Sequence, residues 1–340
     1  MDVFQKAFDY TVADELKARG LYPYFRAIET GNDTEVYINK KKMLMLGSNS
    51  YMGLTFNEIT IKAAIEGVKK HGTGCAGSRF LNGTLDLHED LELKLANFMN
   101  RESALLFSTG LLTNQGILST LIGRNDIVYI DKSDHASIID GVRLSFSKVI
   151  KFKHNDMDDL KKHLANSSSK AGKLIVVDGV FSMEGDLADL REIVELKNRY
   201  DSQLLIDEAH ATGVMGLTGR GVAELLEVER EVDATVGTLS KGIGALGGFV
   251  AGPKVLIDTI RNSARAYVYT TGLPPAICAA ALESLRIIQT EPQRRTKLLQ
   301  LAEAFRGELV EAGLDTRDSA SQIIPVVIGE AGDAVRISRG

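Results

Sequence analysis

Excess positive charge is the first thing this sequence lacks. Lys and Arg total 40 against 45 Asp and Glu, a formal net charge of -5, so there is no basic footprint for nucleic acid. Long apolar runs are missing too. None reaches the length of a membrane span, and the opening stretch MDVFQKAFDYTVADELKARG is charged throughout, unlike a secretory signal, which points to a cytoplasmic protein. Cysteine is scarce: Cys75 and Cys278 stand far apart without paired spacing, so neither a metal site nor a disulfide framework is indicated.

Also absent is a GxxxxGK[ST] phosphate loop. Asp207-Glu208-Ala209-His210 spells the DEAH box of nucleic-acid helicases, but without that upstream loop it lacks the part that would hold a nucleotide. A formal GxGxxG does occur, at Gly72, Gly74 and Gly77. A dinucleotide fingerprint follows a strand and opens a helix. This one follows the helical pattern AAIEGVKK and enters an irregular loop, so the dinucleotide reading is rejected as well.

What is present is an alternation. From Ala104 onward the short apolar runs ALLFS, DIVYID, KVIKFKH, KLIVVDGVFS and LLID alternate with helical patterns, as in an α/β fold with a mostly parallel sheet and helices on both faces. At 340 residues, one large domain with a smaller appendage is expected. Residues 1–45 read as an N-terminal arm in which Phe4, Phe8, Val12 and Leu16 recur at helical spacing up to Gly20. Residues 46–291 read as the large domain, ended by Glu291-Pro292. Residues 292–340 read as part of a small C-terminal domain: a long helix with Leu298, Leu301, Phe305 and Leu309 on one face, a strand QIIPVVIG, and a helix begun by GDAVRISRG. Thr84 is expected to cap a helix whose Leu87, Leu91, Leu95 and Phe98 share a face, with His88 packing beside it.

The chemistry gathers at strand ends, the edge of a parallel sheet where ligands bind. Leu204, Leu205 and Ile206 stop at Asp207, and His210 follows three residues later. The run Ala234 to Leu239 ends in Ser240-Lys241 and a glycine-rich tail. Ser108-Thr109-Gly110-Leu111 is a small-residue turn entering a helix, a place for a phosphate among free N–H groups. Ser133-Asp134-His135-Ala136-Ser137 and Ser182 stand at two further exits. Each could be only a helix cap, but their convergence on one edge favours a site.

TLSK with its tail GIGALGGFVAG, DEAH, DHAS, the loop GTGCAGSRFLNGT and FSMEGD together resemble the α-oxoamine synthases, pyridoxal-phosphate (PLP) enzymes of the aspartate-aminotransferase fold. The resemblance implies fold type I, the cofactor pyridoxal 5'-phosphate and a homodimer. It implies decarboxylative condensation of an acyl-CoA with a small amino acid (serine, alanine or glycine), giving CoA and carbon dioxide. By the same resemblance Lys241 forms the Schiff base, Asp207 keeps the pyridine nitrogen protonated, His135 stacks on the ring, and His210 and Ser182 hydrogen-bond near the ring oxygen. Gly110, Leu111 and Thr238 match phosphate contacts, with Thr271 offered by the neighbouring subunit, and Asn49 matches a contact to the substrate carboxylate. The family's usual aromatic residue after Gly110 is Leu111 here, so that contact would rest on backbone. The loop GTGCAGSRFLNGTLDLHEDLE looks most like bacterial serine palmitoyltransferases, while DEAHATGVMGLTGRG and TLSKGIGALGG look more like 8-amino-7-oxononanoate synthases. The loop borders the site, which tips the reading to the palmitoyltransferase type, with 8-amino-7-oxononanoate synthase or glycine C-acetyltransferase as the alternative members and an aminotransferase on the same fold as the rival class. Family members continue for some tens of residues beyond the position of Gly340, through a segment whose arginine binds the amino-acid carboxylate, so turnover is expected to need that segment.

Overall fold

The computed structural model describes residues 2–168 and 170–338. Three short strands come first, β1 (Thr30–Gly31), β2 (Glu35–Ile38) and β3 (Lys41–Leu44), paired antiparallel in a small sheet of their own. The alternating apolar runs then become β4 (Ser103–Phe107), β5 (Ile127–Asp131), β6 (Lys148–Phe152), β7 (Lys173–Asp178), β8 (Gln203–Asp207), β9 (Ala234–Thr238) and β10 (Gly248–Gly252). These form one seven-stranded sheet in the order β4-β10-β9-β8-β7-β5-β6. β10 alone runs against the direction of the other six strands, so the mostly parallel α/β sheet expected from the alternation is present.

Successive strand residues face opposite sides. Leu106, Tyr129, Val177, Ile206 and Phe249 join a core on one face, and Phe107, Val128, Val176, Leu205 and Val236 join a second core on the other. Burying such a side chain contributes about 1.5–3 kcal/mol. Leu204, Leu205 and Ile206, all buried, can therefore hold β8 in place although its last residue is an acid. Register levels the strand ends: Asp178 pairs with Asp207, and Asp207 with Val236. The ionisable residues that follow these strands consequently meet at one edge.

The glycine-rich loop between the helices Glu58–His71 and Asp86–Phe98 is tied to this sheet by charge. Arg79 and Glu92 form a buried ion pair at 3.0 Å, the Leu106 N–H donates to Glu92 at 3.0 Å, and Arg261 reaches Glu92 at 3.3 Å. Gly83 is required by space, since a Cβ there would lie 2.0 Å from the Gly77 carbonyl oxygen.

Thr84 does not cap the helix Asp86–Phe98. Its hydroxyl is used inside the loop, donating to the Arg79 carbonyl at 2.7 Å and accepting from Arg79 Nε at 3.1 Å, and Leu85 takes the cap position. His88 does more than pack: Nδ1 accepts the Leu85 N–H at 3.0 Å, which leaves the proton on Nε2, 2.8 Å from the Leu273 carbonyl. The run QIIPVVIG is not a strand. Pro325 has no N–H to give, and although the Val327 N–H reaches the Asp315 carbonyl at 2.9 Å, no described segment pairs with the run as a sheet neighbour. The stripe from Phe4 to Leu16 is split between two short helices, Gln5–Phe8 and Val12–Ala18, neither of which buries a residue. Without burial, nothing stabilises one longer helix. Cys75 and Cys278, distant in sequence, both donate to the Leu273 carbonyl, at 3.3 and 3.9 Å, and both thiols are free. No described helix is long and apolar enough to cross a membrane.

Candidate active site

The ends of β7, β8 and β9 and the turn after β4 open onto one cavity of about 270 Å³. Gly110, Leu111, His135, Asp207, His210, Thr238 and Lys241 line it together. At its base Asp207 is only 5% exposed. Its Oδ1 accepts the Ala209 N–H at 2.9 Å and its Oδ2 accepts the Asn114 amide at 2.7 Å. The same Asn114 nitrogen donates to Ser137 Oγ at 2.9 Å, and Ser137 Oγ stands 2.7 Å from His135 Nδ1. The Ser137 N–H also points at that nitrogen, at 3.2 Å, so Nδ1 accepts and the His135 proton sits on Nε2. A hydrogen-bond chain thus joins the acid to the imidazole, and Asp178 Oδ2 fixes the His135 backbone N–H at 2.9 Å.

Lys241 follows β9, and its Nζ lies 2.8 Å from His210 Nε2. Burial first, then the proximity of Lys241 and His135, push the imidazole of His210 down to about 3, so the ring is neutral at pH 7. Burial also lowers Lys241, against the opposing pull of Asp207 and Asp178. Asp178 and Asp134 are held well above the usual carboxylate range, by burial and then by the acid next to each, Asp207 for the former and Asp178 for the latter.

At the other end Thr109 caps the helix Gly110–Leu121, its side chain accepting the Leu112 N–H at 3.1 Å. The first-turn N–H groups of Gly110 and Leu111 have no partner within a helix and carry the positive end of its dipole. The Thr238 and Ser240 hydroxyls, 2.8 Å apart, stand in the same cavity. Gly248 faces this turn so closely that a Cβ would fall 2.8 Å from the Gly110 nitrogen. The arrangement is suited to an anion.

Three sequence-selected residues lie outside the cavity lining. Ser182 is half-buried in a turn closed by the Val180–Leu187 bridge. Thr271 is exposed, bridges to Ser78, and its carbonyl accepts the Ser108 hydroxyl at 3.1 Å. Asn49 is exposed, its Oδ1 accepting the Tyr51 hydroxyl at 3.0 Å. Sequence reasoning passed over Asn114, Tyr51 and Gln322. Asn114 had a signal, because it sits one helical turn past Gly110 on the same face. Tyr51 reaches His210 Nδ1 at 2.7 Å, and Gln322 Nε2 reaches the His210 carbonyl at 2.8 Å; contacts made across such separations leave no local trace.

The second acid of DEAH is not part of the cavity. Glu208 is fully buried, its Oε1 accepts the Ala223 N–H at 3.0 Å, and burial raises it from 4.5 to about 7. The folded state therefore keeps a proton that the unfolded state loses, so this group's contribution falls as pH rises from 4.5 to about 7 and stays low above it. The loss is roughly 3 kcal/mol. Glu208→Gln is expected to flatten that decline in denaturation experiments between about pH 5 and 7. A slope equal to the parent's would assign it to other buried acids.

The chain matches the family described as Aminotransferase class I and II over residues 41–339. Serine palmitoyltransferase of Sphingobacterium spiritivorum is 48% identical over 319 residues, covering 94% of this chain and 80% of that protein. The 8-amino-7-oxononanoate synthase of Lysinibacillus sphaericus is 44% identical over 323 residues, covering 95% and 83%. A serine palmitoyltransferase from S. paucimobilis, solved with PLP and myriocin bound, superposes with a TM-score of 0.95 at 36% identity, over 98% of this chain and 88% of that one. The residues fit PLP, a planar aldehyde with a phosphate at one end and a basic ring nitrogen at the other. The helix start suits the phosphate, the buried Asp207 suits the nitrogen, and the Lys241 amine suits the aldehyde. The chain belongs to the class I and II aminotransferase family and, within it, to the α-oxoamine synthases, whose cofactor is PLP.

Proposed function

We propose that this enzyme condenses an acyl-CoA with a small amino acid, serine first among them, and releases CoA and carbon dioxide in the manner of a serine C-palmitoyltransferase. The observation that carries the reading is Lys241 Nζ at 2.8 Å from a neutral His210, in a cavity based on the buried Asp207. The 48% identity to a serine palmitoyltransferase supports it.

PLP, when bound, supplies an electron sink for the charge left at the amino acid's α-carbon. Lys241 offers an amine that burial shifts toward its uncharged, reactive form. Asp207, fixed by two donors, holds a negative charge where the ring nitrogen is assigned. His135, held by Asp178 and Ser137, is assigned to cover the ring and exclude water. Gly110, Leu111 and Thr238 are assigned to the phosphate, and Ser182 with His210 to the ring oxygen. Asn49 is assigned to the amino-acid carboxylate. Thr271 is offered to the cavity of a second copy in a homodimer, a reading supported by its exposure and its place beside the glycine-rich loop. A cytoplasmic setting is supported by the two free thiols.

The test is release of free CoA from acyl-CoAs of increasing length, each paired with serine, alanine or glycine. Palmitoyl-CoA with serine is expected to give the fastest release. Release with alanine and a seven-carbon dicarboxylic acyl-CoA, the pieces of which 8-amino-7-oxononanoate is made, would favour the reading that the 44% relative supports. Amino-group exchange with an oxo acid and no CoA from any pair would make the protein an aminotransferase. The expected molar mass in solution is that of two chains, and a cofactor-loaded monomer would refute the dimer.

A further inference from the structure

We propose that Tyr51 is a positioning residue for His210, holding its imidazole as the Nδ1–H tautomer with the Nε2 lone pair toward Lys241. This rests on the active site assigned above, and not on which reaction is run there. The Tyr51 hydroxyl lies 3.0 Å from Asn49 Oδ1 and 2.7 Å from His210 Nδ1. An amide oxygen can only accept, so the single phenolic proton goes to Asn49, and the contact to His210 then needs its proton from Nδ1. Gln322, which also lies against Tyr51, donates from Nε2 to the His210 carbonyl at 2.8 Å and so fixes the backbone of the same histidine.

The consequence falls on Lys241, whose Nζ is 2.8 Å from Nε2. While Lys241 carries its proton as an ammonium it brings only N–H groups to that contact. An Nε2–H tautomer would set donor against donor there, whereas a bare Nε2 accepts and holds the lysine in place. Burial, with Lys241 and His135 nearby, already keeps the ring uncharged, and burial keeps the Tyr51 phenol protonated. What Tyr51 adds is the choice of nitrogen that carries the remaining proton.

The test is ring-nitrogen NMR on the full chain freed of cofactor and labelled with ¹⁵N-histidine. There are six histidines, and the His210 signals are those lost in His210→Gln. In the parent at neutral pH the expected result is a protonated Nδ1 and a bare Nε2. Tyr51→Phe removes the acceptor and leaves a buried N–H unpaired, which is expected to move the tautomer ratio toward Nε2–H by about 10-fold or more. Unchanged signals from the other histidines show that this variant is folded; should it not fold, the parent spectrum alone decides. A parent ring protonated at Nε2, or a Tyr51→Phe ring identical to the parent's, overturns the proposal. Neither result depends on CoA release, so a failure of the acyltransfer reading is seen separately.

Discussion

Replacing Lys241 by alanine is expected to abolish the yellow absorbance of covalently held PLP and to lower CoA release by about 10³- to 10⁶-fold, the scale seen when the residue forming the covalent bond is removed. The lysine is placed by its strand. β9 is buried along its whole length and ends at Thr238, so the backbone delivers Lys241 to the cavity without freedom to choose another exit. Its side chain is half-buried, and the amine lies beside two acids and a neutral histidine, an environment that an exposed lysine does not have. Alanine removes the amine but none of the strand's apolar contacts, so folding is expected to survive. Absorbance spectra and borohydride reduction followed by peptide mapping read the outcome. A reducible adduct that persists in the variant on the same peptide would assign the covalent role to another residue.

The sequence made the sheet edge legible because the signals there are local. An apolar run that stops at Asp207, and another that stops at Ser240-Lys241, mark strand ends whatever the rest of the chain does. Register then does the gathering, and parallel neighbours of similar length leave it little choice. The supporting residues were harder to read. Asn114 holds Asp207, Tyr51 holds His210 and Gln322 holds the His210 backbone, and each comes from an element remote in sequence from the residue it supports. Polar residues of that kind look like ordinary caps or surface until folding supplies the partner. Thr84 shows the opposite error: it had the composition of a cap, yet Arg79 offered its hydroxyl a better set of partners inside the loop. QIIPVVIG failed for a related reason, since β-propensity describes a segment that fits a sheet and cannot provide the neighbour.

Asp207→Asn is expected to slow exchange of the amino acid's α-proton with solvent by about 100- to 1000-fold, or roughly 3–4 kcal/mol, the usual cost of losing one preorganised electrostatic contact. A carboxylate facing the ring nitrogen keeps the ring charged, and a charged ring makes it cheaper to hold the electron pair left when the α-proton departs. Asparagine keeps the shape and loses the charge. In the fold Asp207 accepts two hydrogen bonds, from Asn114 and from the Ala209 N–H, and an amide can still accept one of them through its oxygen. The second donor would be left facing an N–H₂ group, at about 1–3 kcal/mol. Against that cost, the substitution removes the negative charge that Asp178 meets across the strand pair. The loss in stability is therefore expected to be smaller than the loss in rate. Proton exchange measured by NMR in deuterated water, alongside urea unfolding of the same preparations, separates the two. Exchange at the parental rate would show that Asp207 is not the ring's electrostatic partner, and would reduce it to a buried acid held for structure by Asn114.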